Sequence, residues 1–228
     1  MFRGLTFTVI GIAAIAAVLT SFAPVGTATA AEIARPVVWS VPYSGRPAGP
    51  AVGRIAAETR GGRAAGYLIL DEKIRGGGTW VAIRVGKRPN DRVGWVEAED
   101  INRIEARYKI HISLKARKMA LFRGEKRVWI TRVVIGNPAT PTPKGLFAIH
   151  DFYRVHNELK PWQIELTSHS EVHRTFQGGP GRVAIHGRHG SLAVPWGSRA
   201  SNGCIRSPDW TLRSIRRLAP VGTPVVVR

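Results

Sequence analysis

The apolar residues of this chain arrive in short bursts, and Gly or Pro interrupts the stretches between them. With 25 Gly and 15 Pro in 228 residues, the composition favours turn-rich β structure over a protein built on long helices, because both residues disfavour helix interiors. Residues 79–85 and 108–114 alternate apolar and polar side chains. Period two sends successive side chains to opposite faces, which suits half-buried strands. Residues 66–70, 93–96, 119–122, 128–135, 146–149, 183–185 and 221–227 read as further strands. A helical signal comes once: Ser207-Pro208 forms an N-cap and N1 pair, followed by Trp210, Ile215 and Leu218. The expected fold is mainly β with one or two short helices.

The first stretch is expected to lie outside that fold. Arg3 precedes an almost wholly apolar run at 5–18, and Ala28-Thr29-Ala30 supplies an A-x-A cleavage site. This is the three-part pattern of a secretory signal peptide over residues 1–31. A membrane anchor is the alternative, but the run is short of the ~20 residues a span needs. An exported protein is expected. The charged segment 97–107 marks a division: a small N-terminal β-barrel over 32–105 and a second, mainly β domain over 106–228.

The chemistry centres on Cys204, the one cysteine of the chain. A single thiol excludes an intramolecular disulfide framework and any multi-cysteine metal site. Cys204 follows Gly203 in the run Ser201-Asn202-Gly203-Cys204-Ile205-Arg206. A glycine there lets the backbone turn and present the thiol. Arg206 and Arg199 supply positive charge, which is expected to lower the thiol pKa. Cysteine nucleophiles work with a histidine base, and His186-Gly187 ends the strand 183–185. Ser201 and Asn202 are expected to hold the loop by hydrogen bonds.

The second half resembles the L,D-transpeptidase (YkuD-type) catalytic domain. The likeness rests on His186-Gly187, with fourteen residues between His186 and Ser201, and then Ser201-Asn202-Gly203-Cys204-Ile205-Arg206. It is supported by Pro141-Thr142-Pro143-Lys144-Gly145, by His169-Ser170-Glu171-Val172 and by Gly222-Thr223-Pro224-Val225. Asn202 stands where many members carry a second histidine. His189-Gly190 repeats His186-Gly187 but stands too near Ser201 for the family spacing, so the base is assigned to His186.

The resemblance implies a β-sandwich-like catalytic domain and a cysteine-dependent acyltransferase. Its chemistry is ping-pong acyl transfer on peptidoglycan stem peptides: a Cys204 thioester forms with release of D-alanine, and 3-3 cross-links follow. His186 takes or holds the thiol proton, and the Gly187 carbonyl orients its ring. Gly203 and Cys204 are candidate oxyanion donors. Arg206 binds a substrate carboxylate or supports the turn, and His169 lines the pocket or lies on the surface. Neither cofactor nor metal is expected, and capture of carbapenems by Cys204 is implied. Trp80 with the segment 87–96 resembles the Src-homology-3-like modules that precede certain cell-wall enzymes; Trp80 and Trp95 are read as core, with a ligand groove as the alternative.

Several alternatives stand beside this reading. The same thioester can pass to water, making an L,D-carboxypeptidase, or attach a lipoprotein to the wall. His169 and His173 are four apart, a zinc-pair spacing, but H-E-x-x-H is absent. A non-catalytic wall-binding protein is the third. The charge narrows the partners. The chain carries 34 Lys+Arg against 15 Asp+Glu, a formal +19. Residues 106–228 hold 21 of those cations and 6 of those acids. Anionic cell-wall polymers fit such a surface. Nucleic acid is not expected, since no recognition motif accompanies the charge, and the protein is expected to be monomeric.

Overall fold

The computed structural model describes Met1 and residues 30–176 and 178–228. Most of the expected signal peptide, residues 2–29, lies outside the described residues. Seven strands occupy the first part: β1 (Glu32–Pro36), β2 (Ser40–Ser44), β3 (Ala51–Ala56), β4 (Tyr67–Arg75), β5 (Gly78–Arg84), β6 (Val93–Glu97) and β7 (Ile101–Glu105). They form one sheet in the order β3-β2-β6-β5-β4-β1-β7. On β5 the alternation read from the sequence is real: Val81 and Ile83, with Val85 beyond the strand, face a core of Ala34, Val41, Tyr43, Ile55 and Val96. Trp95 is buried as expected, whereas Trp80 is only half-buried.

The second part holds β8 (Tyr108–Ser113), β9 (Lys118–Arg123), β10 (Lys126–Arg132), β11 (Ile135–Gly136), β12 (Gly145–Arg154), β13 (Trp162–His169), β14 (Arg182–His186), β15 (Arg199–Ser201), β16 (Ile205–Arg206), helix α1 (Asp209–Leu218) and β17 (Pro224–Val227). Eight of these strands form a sheet in the order β10-β9-β8-β17-β12-β13-β14-β16, and β11 pairs with β15. The last strand is central. β17 runs parallel to β8 and antiparallel to β12, aligning Val225 with both Ile110 and Phe147. These residues, with Ile149, Ile164, Leu166, Ile185 and Ile205, make the larger core. Burying a side chain of this size stabilises by about 1.5–3 kcal/mol.

Helix α1 begins at Asp209, and Ser207 is not its cap. The Ser207 hydroxyl pairs with Thr211 Oγ1 at 2.6 Å, and Pro208 holds the N-cap position. Leu212 and Ile215 face the core, while Trp210 points outward and meets Trp129 edge-on at 5.4 Å. The two parts of the chain meet in part through polar contacts. Arg88 donates to the carbonyls of Ser170 (2.7 Å), His173 (3.0 Å) and Pro180 (3.2 Å). Asn90 and the His169 backbone bond to each other in both directions, at 2.9 and 2.7 Å. Arg182 Nη1 donates to Gly86 O at 3.0 Å.

Candidate active site

Strand pairing at the sheet edge assembles the site. β14 and β16 run parallel, with Ile185 opposite Ile205 and His186 opposite Arg206. Paired residues share a face, and successive residues alternate. Ile185 and Ile205 point into the core, so His186 and Arg206 point the other way. Extending the register by one sets Cys204 opposite Ala184, on the same face as His186. Both line a cavity of about 260 Å³, together with Ser201, Asn202, Glu165 and Arg206 among others.

The histidine is held tightly. His186 is 5% exposed, and its Nδ1–H donates to the Gly187 carbonyl at 2.7 Å. A carbonyl only accepts, so the neutral ring leaves Nε2 as a free acceptor. Burial pushes the imidazole down to about 4; the Gly187 bond resists this, and Arg206 adds to it. Gly187 has no room for a side chain, since a Cβ would sit 2.0 Å from the Lys160 carbonyl oxygen. Its N–H donates to Leu159 O at 3.0 Å.

The cysteine loop is hung from a second loop. Gly203 adopts φ +107°, in the region that favours glycine. Ser201, buried as a loop-holding residue should be, donates from Oγ to Cys204 O at 2.5 Å and accepts from Gly203 N at 3.2 Å. The Gly203 N–H is therefore engaged within the loop. Thr142 Oγ1 donates to Gly203 O at 2.9 Å and accepts from Gly136 N at 2.9 Å. Thr140 Oγ1 donates to Ser201 O at 3.2 Å. Asn202 is exposed at the cavity rim.

Two expectations are corrected. Positive charge does not bring the thiol down. The protein packed around Cys204 pushes it up, and the Ala184 backbone bond and Arg206 only partly offset that effect. Arg206 itself spends Nη1 on Leu192 O at 3.3 Å. His169 is not among the cavity-lining residues. It lies 3% exposed where the two parts of the chain meet, its backbone clamped by Asn90. His189 turns to Asp209, donating from Nε2 to Oδ1 at 2.9 Å.

Glu165, unremarked in the sequence, faces the same cavity. β13 pairs it with Ala184 of β14, and Arg182 Nε lies 3.4 Å from its carboxylate. Burial raises its carboxyl pKa, with Arg182 opposing. Its negative charge adds to the forces that hold the proton on Cys204. The alternation of β13, with Ile164 and Leu166 in the core, was the available signal for Glu165. In chemical terms the site offers one thiol, one uncharged imidazole with an open lone pair, and an ion pair at the wall.

Comparison with known proteins identifies the family of the second half. Residues 107–227 match the family model of the YkuD L,D-transpeptidase catalytic domain. YkuD of Bacillus licheniformis is 28% identical over 120 residues, covering 53% of this chain. The match spans 65% of that relative's length. A mutant of the Enterococcus faecium L,D-transpeptidase aligns at 18% identity and a TM-score of 0.41, covering 56% of each chain. An L,D-transpeptidase from Mycobacterium smegmatis aligns at 12% identity and 0.44, covering 71% of this chain and 99% of its own. The chain belongs to the L,D-transpeptidase catalytic-domain family.

Proposed function

We propose that this protein is an exported peptidoglycan L,D-transpeptidase that forms 3-3 cross-links through a thioester on Cys204. The observation that carries the reading is the parallel pairing of β14 with β16, which gives His186 and Cys204 one face and one cavity. With the thiol raised and the imidazole lowered, the pair rests as neutral thiol and neutral base. His186 Nε2 takes the thiol proton as sulfur attacks the stem-peptide carbonyl. The carbonyl–nitrogen bond to D-alanine then breaks, and His186 returns the proton to the leaving amine. An amine of a second stem attacks the thioester, loses a proton to His186 and restores the thiol. The backbone N–H of Cys204 is the oxyanion donor in this scheme, since that of Gly203 is engaged.

The supporting parts of the reading follow from it. Asn202 and Arg206 contact the donor peptide at the rim. The segment 32–105 acts as a Src-homology-3-like barrel module that holds the enzyme on the wall, and the cationic second half faces anionic wall polymers. The test is incubation with purified disaccharide-tetrapeptide, followed by mass analysis of products and of intact protein. Cross-linked dimers and a Cys204 acyl adduct are expected, and Cys204→Ala should abolish both. Tripeptide without dimers would assign the carboxypeptidase alternative, and unaltered product formation by Cys204→Ala would overturn the thiol mechanism. The same intact-mass measurement reads carbapenem capture on Cys204.

A further inference from the structure

A second and larger cleft, of about 690 Å³, opens where residues 84–91 meet residues 144–147 and 171–174. It shares no lining residue with the Cys204 cavity. Its notable member is Arg84. Val81, Ile83 and Val85 take the core face around β5, so Arg84 emerges from the other face. It is only 8% exposed. Its Nε–H has no hydrogen-bond partner among the described residues, and Nη1 reaches Arg92 O only at 3.5 Å. No carboxylate among the described residues lies within 4.0 Å of its guanidinium. A buried cation with an unmet donor is costly unless something answers it.

The surroundings say what could answer it. Lys144 and Arg174 are exposed on the rim. Arg88 commits its Nη atoms to three carbonyls and contributes its charge. Against these four cations stand Asp91 and Glu171, both exposed. The balance of two positive charges matches a dianion, which a carboxylate is not and a phosphate monoester at neutral pH nearly is. Arginine forks also pair two oxygens of one oxyanion at once.

We propose that this cleft is a phosphate-binding site, with Arg84 on its floor and Lys144 and Arg174 at its rim. The ligand is free phosphate or the phosphomonoester group of an envelope molecule. The inference does not rest on the acyl-transfer reading.

Calorimetric titration of the full chain with inorganic phosphate, glycerol 3-phosphate and acetate, at fixed ionic strength, tests it. Saturable one-to-one binding of phosphate is expected, with acetate at least tenfold weaker. Lys144→Glu and Arg174→Glu, both on exposed side chains, should each weaken phosphate about tenfold, the scale of one lost charge-assisted hydrogen bond. Arg84→Gln should remove saturable binding. Arg127→Glu makes the same charge change on an exposed side chain of β10 and should leave affinity unchanged. Tighter glycerol 3-phosphate assigns an envelope-borne group; tighter inorganic phosphate assigns the free ion. Equal losses in Arg127→Glu and the rim variants, acetate binding as tightly as phosphate, or the absence of saturable binding would each overturn the proposal.

Discussion

Cys204 holds its proton more firmly than an ordinary cysteine, and its neighbours set by how much. Packing is the main cause, Arg206 opposes it and Glu165 reinforces it. Removing the carboxylate removes a repulsion felt only by the thiolate, so Glu165→Gln should lower the thiol pKa. Removing the cation has the opposite sign, so Arg206→Gln should raise it. The pH dependence of iodoacetamide alkylation reads both, with no competing thiol in the chain. A thiol pKa that stays put in both variants would show that neither charge reaches the sulfur. At this scale the sequence reveals the nucleophile and base but not their electrostatics. Cys204 and His186 stand out because glycine and spacing mark them. Glu165 is distant from both in sequence and comes to them only through β13–β14 pairing. The expectation that arginines would lower the thiol counted charges and could not count burial.

The elements that present the thiol are short, and their stability comes from outside them. β16 has two residues and sits at the end of its sheet. Val134 and Arg206 exchange backbone hydrogen bonds at 3.0 and 2.9 Å on its far side. The preceding loop is held by the hydroxyls of Ser201, Thr140 and Thr142, and that of Thr142 joins Gly136 N to Gly203 O. Thr142→Val keeps the shape but leaves two buried backbone groups unpaired, at about 1–3 kcal/mol each. Thermal unfolding should therefore come several degrees lower, with slower acylation of Cys204. Thr142→Ser restores the hydroxyl and should recover most of both; recovery in neither would show that the methyl group, and not the hydrogen bonds, matters. Residues 141–145 are visible in the sequence as a rigid loop, but nothing local tells what the loop supports. The strand β13 is obscured in a related way. Thr167, Ser168 and His169 are buried at its end, and they look like loop residues until partners such as Ala148 N, which donates to Thr167 Oγ1, are in place.

Across the whole molecule, three histidines share one electrostatic fate. His150, His169 and His186 are each pushed down to about 4, in every case chiefly by burial. Arg182 adds to the effect on the first two, and Arg206 on the third. An unfolded chain would protonate the same groups near 6.5. Between about pH 6.5 and 4 the unfolded state therefore binds more protons than the folded state, and stability falls as pH falls. Each such proton contributes about 1.4 kcal/mol per pH unit within that window. Melting temperature measured from pH 7.5 to 5 at constant ionic strength should decline steadily below pH 6.5; a flat profile would contradict the burial of these rings. Composition and alternation are enough to read a mainly β chain. What they leave unread is how the two parts meet, because much of that contact is made by polar side chains with no periodic signature.

The manner of that meeting has a consequence for sequence drift. Arg88 reaches Ser170, His173 and Pro180 through their carbonyl oxygens, and Asn90 reaches His169 through its backbone. Every residue type carries a carbonyl, so the bonds to 173 and 180 ask nothing of those side chains, whereas the buried Ser170 hydroxyl also accepts from Val172 N and His173 N and shapes the receiving segment. The giving side has no such freedom: a lysine at 88 would lose the fork that spans separate acceptors. The joint thus constrains the side chains at 88 and 90 more tightly than those at 173 and 180.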